Sequence, residues 1–121
     1  MKFIYHITTP AAWATAQKSG QIEAESLHRE GFIHCSRQGQ LLAVADRFFP
    51  GVRDLLVLGI DEDEVAPWLV NEGPTGVGDP FADNIFPHVY GPIPVSAVVA
   101  VAPLDVGVDG RFVWPADLPG R

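Results

Sequence analysis

The hydrophobic pattern switches several times between strand-like and helix-like spacing. Phe3-Ile4-Tyr5-His6-Ile7, dense in aromatic and β-branched residues, predicts a first strand. Thr9 and Pro10 then mark a helix start, as cap and first helical residue, and Gly20 marks its end after Ser19. Trp13, with Ala16 or Gln17, is expected on its core face. Residues 21–30 are charged and poor in apolar positions, which predicts a connecting loop, with room for a turn of helix. Gly31 to Cys35 reads as a second strand, and Ser36 as the cap of a second helix running to about Phe49. Leu41, Val44, Ala45 and Phe48 form the apolar stripe of that helix, and Pro50-Gly51 stops it.

The second half of the chain reads as strands and turns. The unbroken apolar run Leu55 to Ile60 predicts a buried strand, followed by an acidic turn or short helix over 61–66. Trp68 to Glu72 predicts a further short strand. Residues 73–84 have no period and many breakers, which predicts a loop of the kind often tied to function. Ile85 to Pro94 reads as extended and rich in turns, Val95 to Ala102 as a strand, and Arg111 to Trp114 as a last short strand. No repeat or internal boundary appears. The expectation is a single α+β domain over 1–121, with its core in about 2–114 and a frayed tail at 115–121.

Composition narrows the function. The chain has 121 residues, of which 47% are hydrophobic, enough for a true core. Its net charge of −7 repels phosphate backbones, and its lysines and arginines are scattered singly. A large nucleic-acid interface is therefore not expected, whereas a pocket for a small phosphorylated ligand stays open. Cys35 is the only cysteine, so no internal disulfide forms, which fits a reducing, cytoplasmic setting. The first residues have no signal-peptide pattern, and no apolar stretch is long enough to span a bilayer.

Histidines carry the chemical signal. In the first strand Ile4, His6 and Thr8 share a face; in the second, Phe32, His34 and Ser36 share a face opposite Ile33 and Cys35. If these strands are neighbours, His6 and His34 line one semi-polar face, which suits a cleft. Ser36 at a helix start, with Arg37 in its first turn, is either a simple cap or an anion site. Phe86-Pro87-His88-Val89-Tyr90-Gly91-Pro92-Ile93-Pro94 is stiffened by its prolines and holds His88 and Tyr90 in place, as a structural corner or as part of a site. Glu72 shares a face with Trp68 and Val70 at a strand end, where a carboxylate is merely solvated or else binds sugar hydroxyls or acts as a base. Zinc ligation by the histidines and Glu72 is a rival reading, although spacing at 6, 34 and 88 lacks the short local pairs common in zinc sites. Dinucleotide-binding, Walker, nucleophile-elbow and zincin motifs are all absent.

The segments IYHIT, EGFIHCS and FPHVYGPIP, in that order, resemble the bacterial domain of unknown function 952 family over Ile4 to about Val101. That family in turn resembles the ADP-ribosyltransferase-like superfamily, nearest its branch of RNA 2′-phosphotransferases. The resemblance implies a split pair of small antiparallel or mixed sheets, with two or three short helices and a central cleft for NAD. It implies that His6 holds a ribose, and that His34, with Phe32 nearby, contacts nicotinamide or the second ribose. Ser36 and Arg37 would approach the pyrophosphate, and Tyr90 would take part in cofactor binding. Glu72 or His88 would stabilise the sugar as nicotinamide leaves. The chain departs from the phosphotransferase branch in having Tyr5 where a basic residue often precedes the first histidine, and in its shortage of arginines. A binding module that kept the cleft without the reaction is the alternative.

Overall fold

The computed structural model describes residues 1–73 and 84–120. The first sheet contains β1 (Phe3–Thr8), β4 (Leu55–Asp61) and β8 (Val98–Leu104), antiparallel in the order β1-β4-β8. The second contains β3 (Ile33–His34), β5 (Leu69–Glu72) and β6 (Phe86–Val89), antiparallel in the order β3-β6-β5. A two-stranded ribbon pairs β2 (Gln21–Ile22) with β7 (Ile93–Pro94). The helices are α1 (Pro10–Ser19), α2 (Glu25–Glu30), α3 (Leu41–Phe48) and α4 (Glu62–Val65). This is a small α+β fold of several small antiparallel sheets and few helices.

Helix α1 forms as its sequence dictates. The Thr9 side chain accepts a hydrogen bond from the Ala12 N–H (3.1 Å), Pro10 opens the helix, and Gly20 closes it in the left-handed region at φ 89°. Ala16 is buried and Trp13 packs against the core beside it, while Gln17 is exposed. The apolar run of β4 is explained by burial on both faces. Leu58 and Ile60 join Ile4, Ile33, Cys35 and Val89 in a core between the two main sheets. Leu55 and Val57 join Tyr5, Leu41, Ala45 and Leu118 in a second core on the far side. The alternation in β1 follows the same division, with Ile4 in the first core and Tyr5 in the second.

Several sequence expectations need correction. Ser36 does not cap a helix: α3 begins at Leu41, and Ser36 forms a bridge with Tyr5. The Ser36 N–H donates to the Tyr5 carbonyl (2.8 Å), and the Tyr5 N–H donates to the Ser36 carbonyl (2.9 Å). A partner 31 positions away in sequence thus takes the groups that a local helix start would have left open. Phe48, expected in the buried stripe, is 51% exposed. The 21–30 segment contains, beside the helical turn that the sequence left room for (α2), the short strand β2. Val95–Ala97 form a single 3-10 turn before β8. Arg111 to Trp114 contribute only an isolated bridge, Val106 to Phe112. The tail is anchored, since Leu118 is buried and the Tyr5 hydroxyl donates to the Pro119 carbonyl at 2.6 Å. Most of the expected 73–84 loop lies outside the described residues. Among the described residues, no helix is long and apolar enough to cross a membrane.

Candidate functional site

The segment after β3 joins the two main sheets and so creates the site. The Cys35 N–H still donates to the Pro87 carbonyl of β6 (3.2 Å), whereas the next residue, Ser36, pairs with β1. This handover brings His6 of β1 against the backbone of β3, and its Nδ1–H donates to the His34 carbonyl at 2.8 Å. A carbonyl only accepts, so the bond fixes the proton of a neutral imidazole on Nδ1 and leaves Nε2 as an acceptor. His6 is 8% exposed, and burial pushes its pKa below the ordinary value, outweighing the bond to His34. The His6 and His34 side chains therefore belong to one neighbourhood, but the contact runs through the His34 backbone.

The ring of His34 turns the other way. His34 and His88 are directly opposed in the β3–β6 register, with ring centroids 5.3 Å apart in an edge arrangement. Phe32 lies two residues before His34 on the same face, and its ring stacks on His88 at 4.1 Å. Tyr90, two residues after His88, brings its ring within 5.1 Å of Phe32. Across the β5–β6 pair, Glu72 sits diagonally from His88, and the His88 Nδ1–H donates to Glu72 Oε1 at 2.8 Å. The Tyr90 hydroxyl donates to the same oxygen. Glu72 and His88 are thus bonded partners.

These bonds set the charge state of the carboxylate. The Tyr90 hydrogen bond, followed by that of His88, holds the Glu72 carboxyl below its ordinary range. The same bond to Glu72 pushes the Tyr90 phenol up. His34 has its own carboxylate, its Nε2–H donating to Glu30 at 3.0 Å. Glu30 carries no motif in the sequence, and its contact crosses the turn at Gly31 from α2 to β3. The i, i+4 spacing of Glu30 and His34 is the sequence signal for this pair.

A cavity of about 240 Å³ opens where the two main sheets meet α3. His6, Tyr5 and Ile7 line it from β1, and His34, Cys35, Ser36 and Phe86 line it from the second sheet and the handover segment. Val44, Phe48 and Phe49 close the α3 side, and Ser26 reaches it from α2. Strand alternation from His88 would have pointed to Phe86, two residues earlier on the same face. Phe48 belongs to the cavity wall, which accounts for its exposure within an otherwise apolar stripe.

Arg37 is already committed. Its guanidinium pairs with Glu62 and donates to the Asn71 side-chain oxygen at 2.7 Å. Together with the use of the Ser36 N–H in the bridge to Tyr5, this removes the helix-start anion site suggested by the sequence. Among the described residues, no group of three or more His, Cys, Asp or Glu side chains is arranged to hold a metal ion. Cys35 faces the core, and burial pushes its thiol up to about 12.

The profile of the protein family of unknown function DUF952 matches residues 7–101. The chain belongs to this family. A DUF952 chain of this length also has close structural neighbours. It is similar to the crystal structure of protein CC0527 from Caulobacter crescentus, with 32% identity, a TM-score of 0.79, and coverage of 93% of this chain and 94% of that one. The solution structure of CC0527 gives 32% identity and a TM-score of 0.76, covering 92% and 91% of the two chains. Comparison with curated proteins gives no match. The DUF952 match takes in His34, Glu72, His88 and Tyr90, and His6 lies one residue ahead of it.

Proposed function

We propose that this DUF952 protein binds a nucleotide of the NAD class in the cleft between its two main sheets, and that the chemistry open to such a ligand there is ADP-ribosyl transfer. One observation carries the reading: Glu72, bonded by His88 and Tyr90 through a single oxygen, stands just outside the cavity, on a sheet face that meets the cavity wall at His34 and Phe86. Aromatic and imidazole faces suit a flat heterocycle. An oriented carboxylate suits a ribose hydroxyl and the positive charge that develops on the sugar as its bond to nicotinamide breaks. In that step the bonding pair leaves with nicotinamide, an acceptor nucleophile forms the new bond to the sugar carbon, and the acceptor loses its proton.

The test is a calorimetric titration with NAD of the wild-type protein beside His6→Ala, His34→Ala and Glu72→Gln. Saturable binding that is lost in the histidine variants supports the cleft. Binding to His34→Ala as tight as to wild type refutes the assignment. The commitment of Arg37 to Glu62 and Asn71 favours a second reading, a binding module without catalysis. Prolonged incubation with NAD, followed by chromatography for free nicotinamide, separates the two.

A further inference from the structure

We propose that the cleft recognises a nucleoside, meaning the ring and sugar of its ligand, and that the phosphates of a nucleotide add little to the affinity. The inference rests on the nucleotide reading of the cleft and narrows it to one part of the ligand. Size points the same way. Pockets that enclose whole drug-sized ligands run to roughly 300–1,000 Å³, and this cavity of about 240 Å³ takes a ring with its sugar rather than a dinucleotide.

Charge points there as well. Among the described residues, no Asp, Glu, Lys or Arg lines the cavity. What lines it is aromatic and aliphatic, with His6, His34, Ser26 and Ser36 as the polar points. His6, its Nδ1–H spent on the His34 carbonyl, keeps only an acceptor, which it can turn to this cavity or to the second one, of about 50 Å³, that it also lines.

A phosphate needs a cation or an open backbone N–H. The Ser36 N–H is bonded to Tyr5 and the Arg37 guanidinium to Glu62 and Asn71, which leaves the first-turn N–H of Ser26, on a helix of only six residues, as the open backbone donor among the described cavity residues. The stretch 74–83 contains no Lys or Arg in its sequence, and the chain as a whole carries −7. The guanidinium of Arg47 stands over the ring of the cavity residue Phe48 at 5.4 Å. It is exposed, where salt screens a phosphate contact.

The experiment titrates the full chain with adenosine, nicotinamide riboside, ADP-ribose and NAD, at low and at physiological salt. It runs wild type beside Arg47→Ala and Val44→Trp, each checked for a native thermal melt. The better nucleoside is expected to bind within about threefold of NAD, with Arg47→Ala unchanged. Val44→Trp, which fills the cavity from α3, is expected to abolish binding. NAD binding more than about tenfold tighter than both nucleosides overturns the inference and leaves the nucleotide reading standing. An NAD advantage that disappears in Arg47→Ala does the same. Undiminished binding by Val44→Trp places the ligand elsewhere and overturns it. If none of the four compounds binds wild type, the nucleotide reading and the inference fall together.

Discussion

His34 and His88 oppose each other across β3 and β6 with ring centroids 5.3 Å apart, yet the two imidazoles occupy very different environments. His88 is 2% exposed, stacked on Phe32 and bonded to Glu72; the His34 side chain is 53% exposed and meets Glu30. Substitution should separate them. His88→Ala removes a buried ring and its hydrogen bond and is expected to cost about 2–4 kcal/mol. His34→Ala is expected to cost less than about 1 kcal/mol, as an exposed pair contributes little. Urea denaturation of the two variants measures the difference.

Tyr90 controls the carboxylate of Glu72. Its hydroxyl bond is the leading reason that carboxyl titrates below its ordinary range. Tyr90→Phe is expected to raise the Glu72 pKa while leaving the bond from His88 in place. Carbon-detected NMR titration of the glutamate carboxyls reads the shift directly; no upward movement of the Glu72 signal refutes the role.

Burial of His6 makes stability depend on pH. Its folded pKa is depressed below the ordinary 6.5, so the unfolded chain binds the proton more readily. Stability therefore rises with pH through the window between the folded value and 6.5, is fully present above it, and is lost as pH falls through that window. His6→Gln, which does not titrate, is expected to flatten this slope. Denaturation midpoints measured from about pH 5 to pH 7 on both proteins give the comparison.

The Cys35 thiol is buried, with its pKa pushed up to about 12. Too little thiolate forms near neutral pH for reaction in the native state. A thiol-reactive chromophore is expected to label the folded protein negligibly over an hour and to label it fully in guanidinium. Rapid labelling of native protein disproves the burial.

Much of the local structure was legible in the sequence. Thr9, Pro10 and Gly20 delimit α1 because a side-chain cap, a fixed φ and a left-handed terminus all act within a few residues. The run Leu55 to Ile60 announces a strand buried on both faces. Alternation places Phe32 and His34 on one face, and Ile33 and Cys35 on the other. These features depend on neighbours along the chain, and the chain's own periodicity determines them.

The site required the tertiary structure. Ser36 reads locally as a cap, yet Tyr5 claims both its backbone groups. Glu72 and His88 read as rival candidates and are bonded to each other; Arg37 reads as an open cation and is held by Glu62 and Asn71. Period and capping tell a residue which face it occupies and where its element stops. Its partner across a ladder depends on closing loops between distant segments, and that closure is decided by burial of both cores at once. The sequence by itself determined the elements and their faces, and the packing of the two main sheets against each other decided which histidine meets which carboxylate.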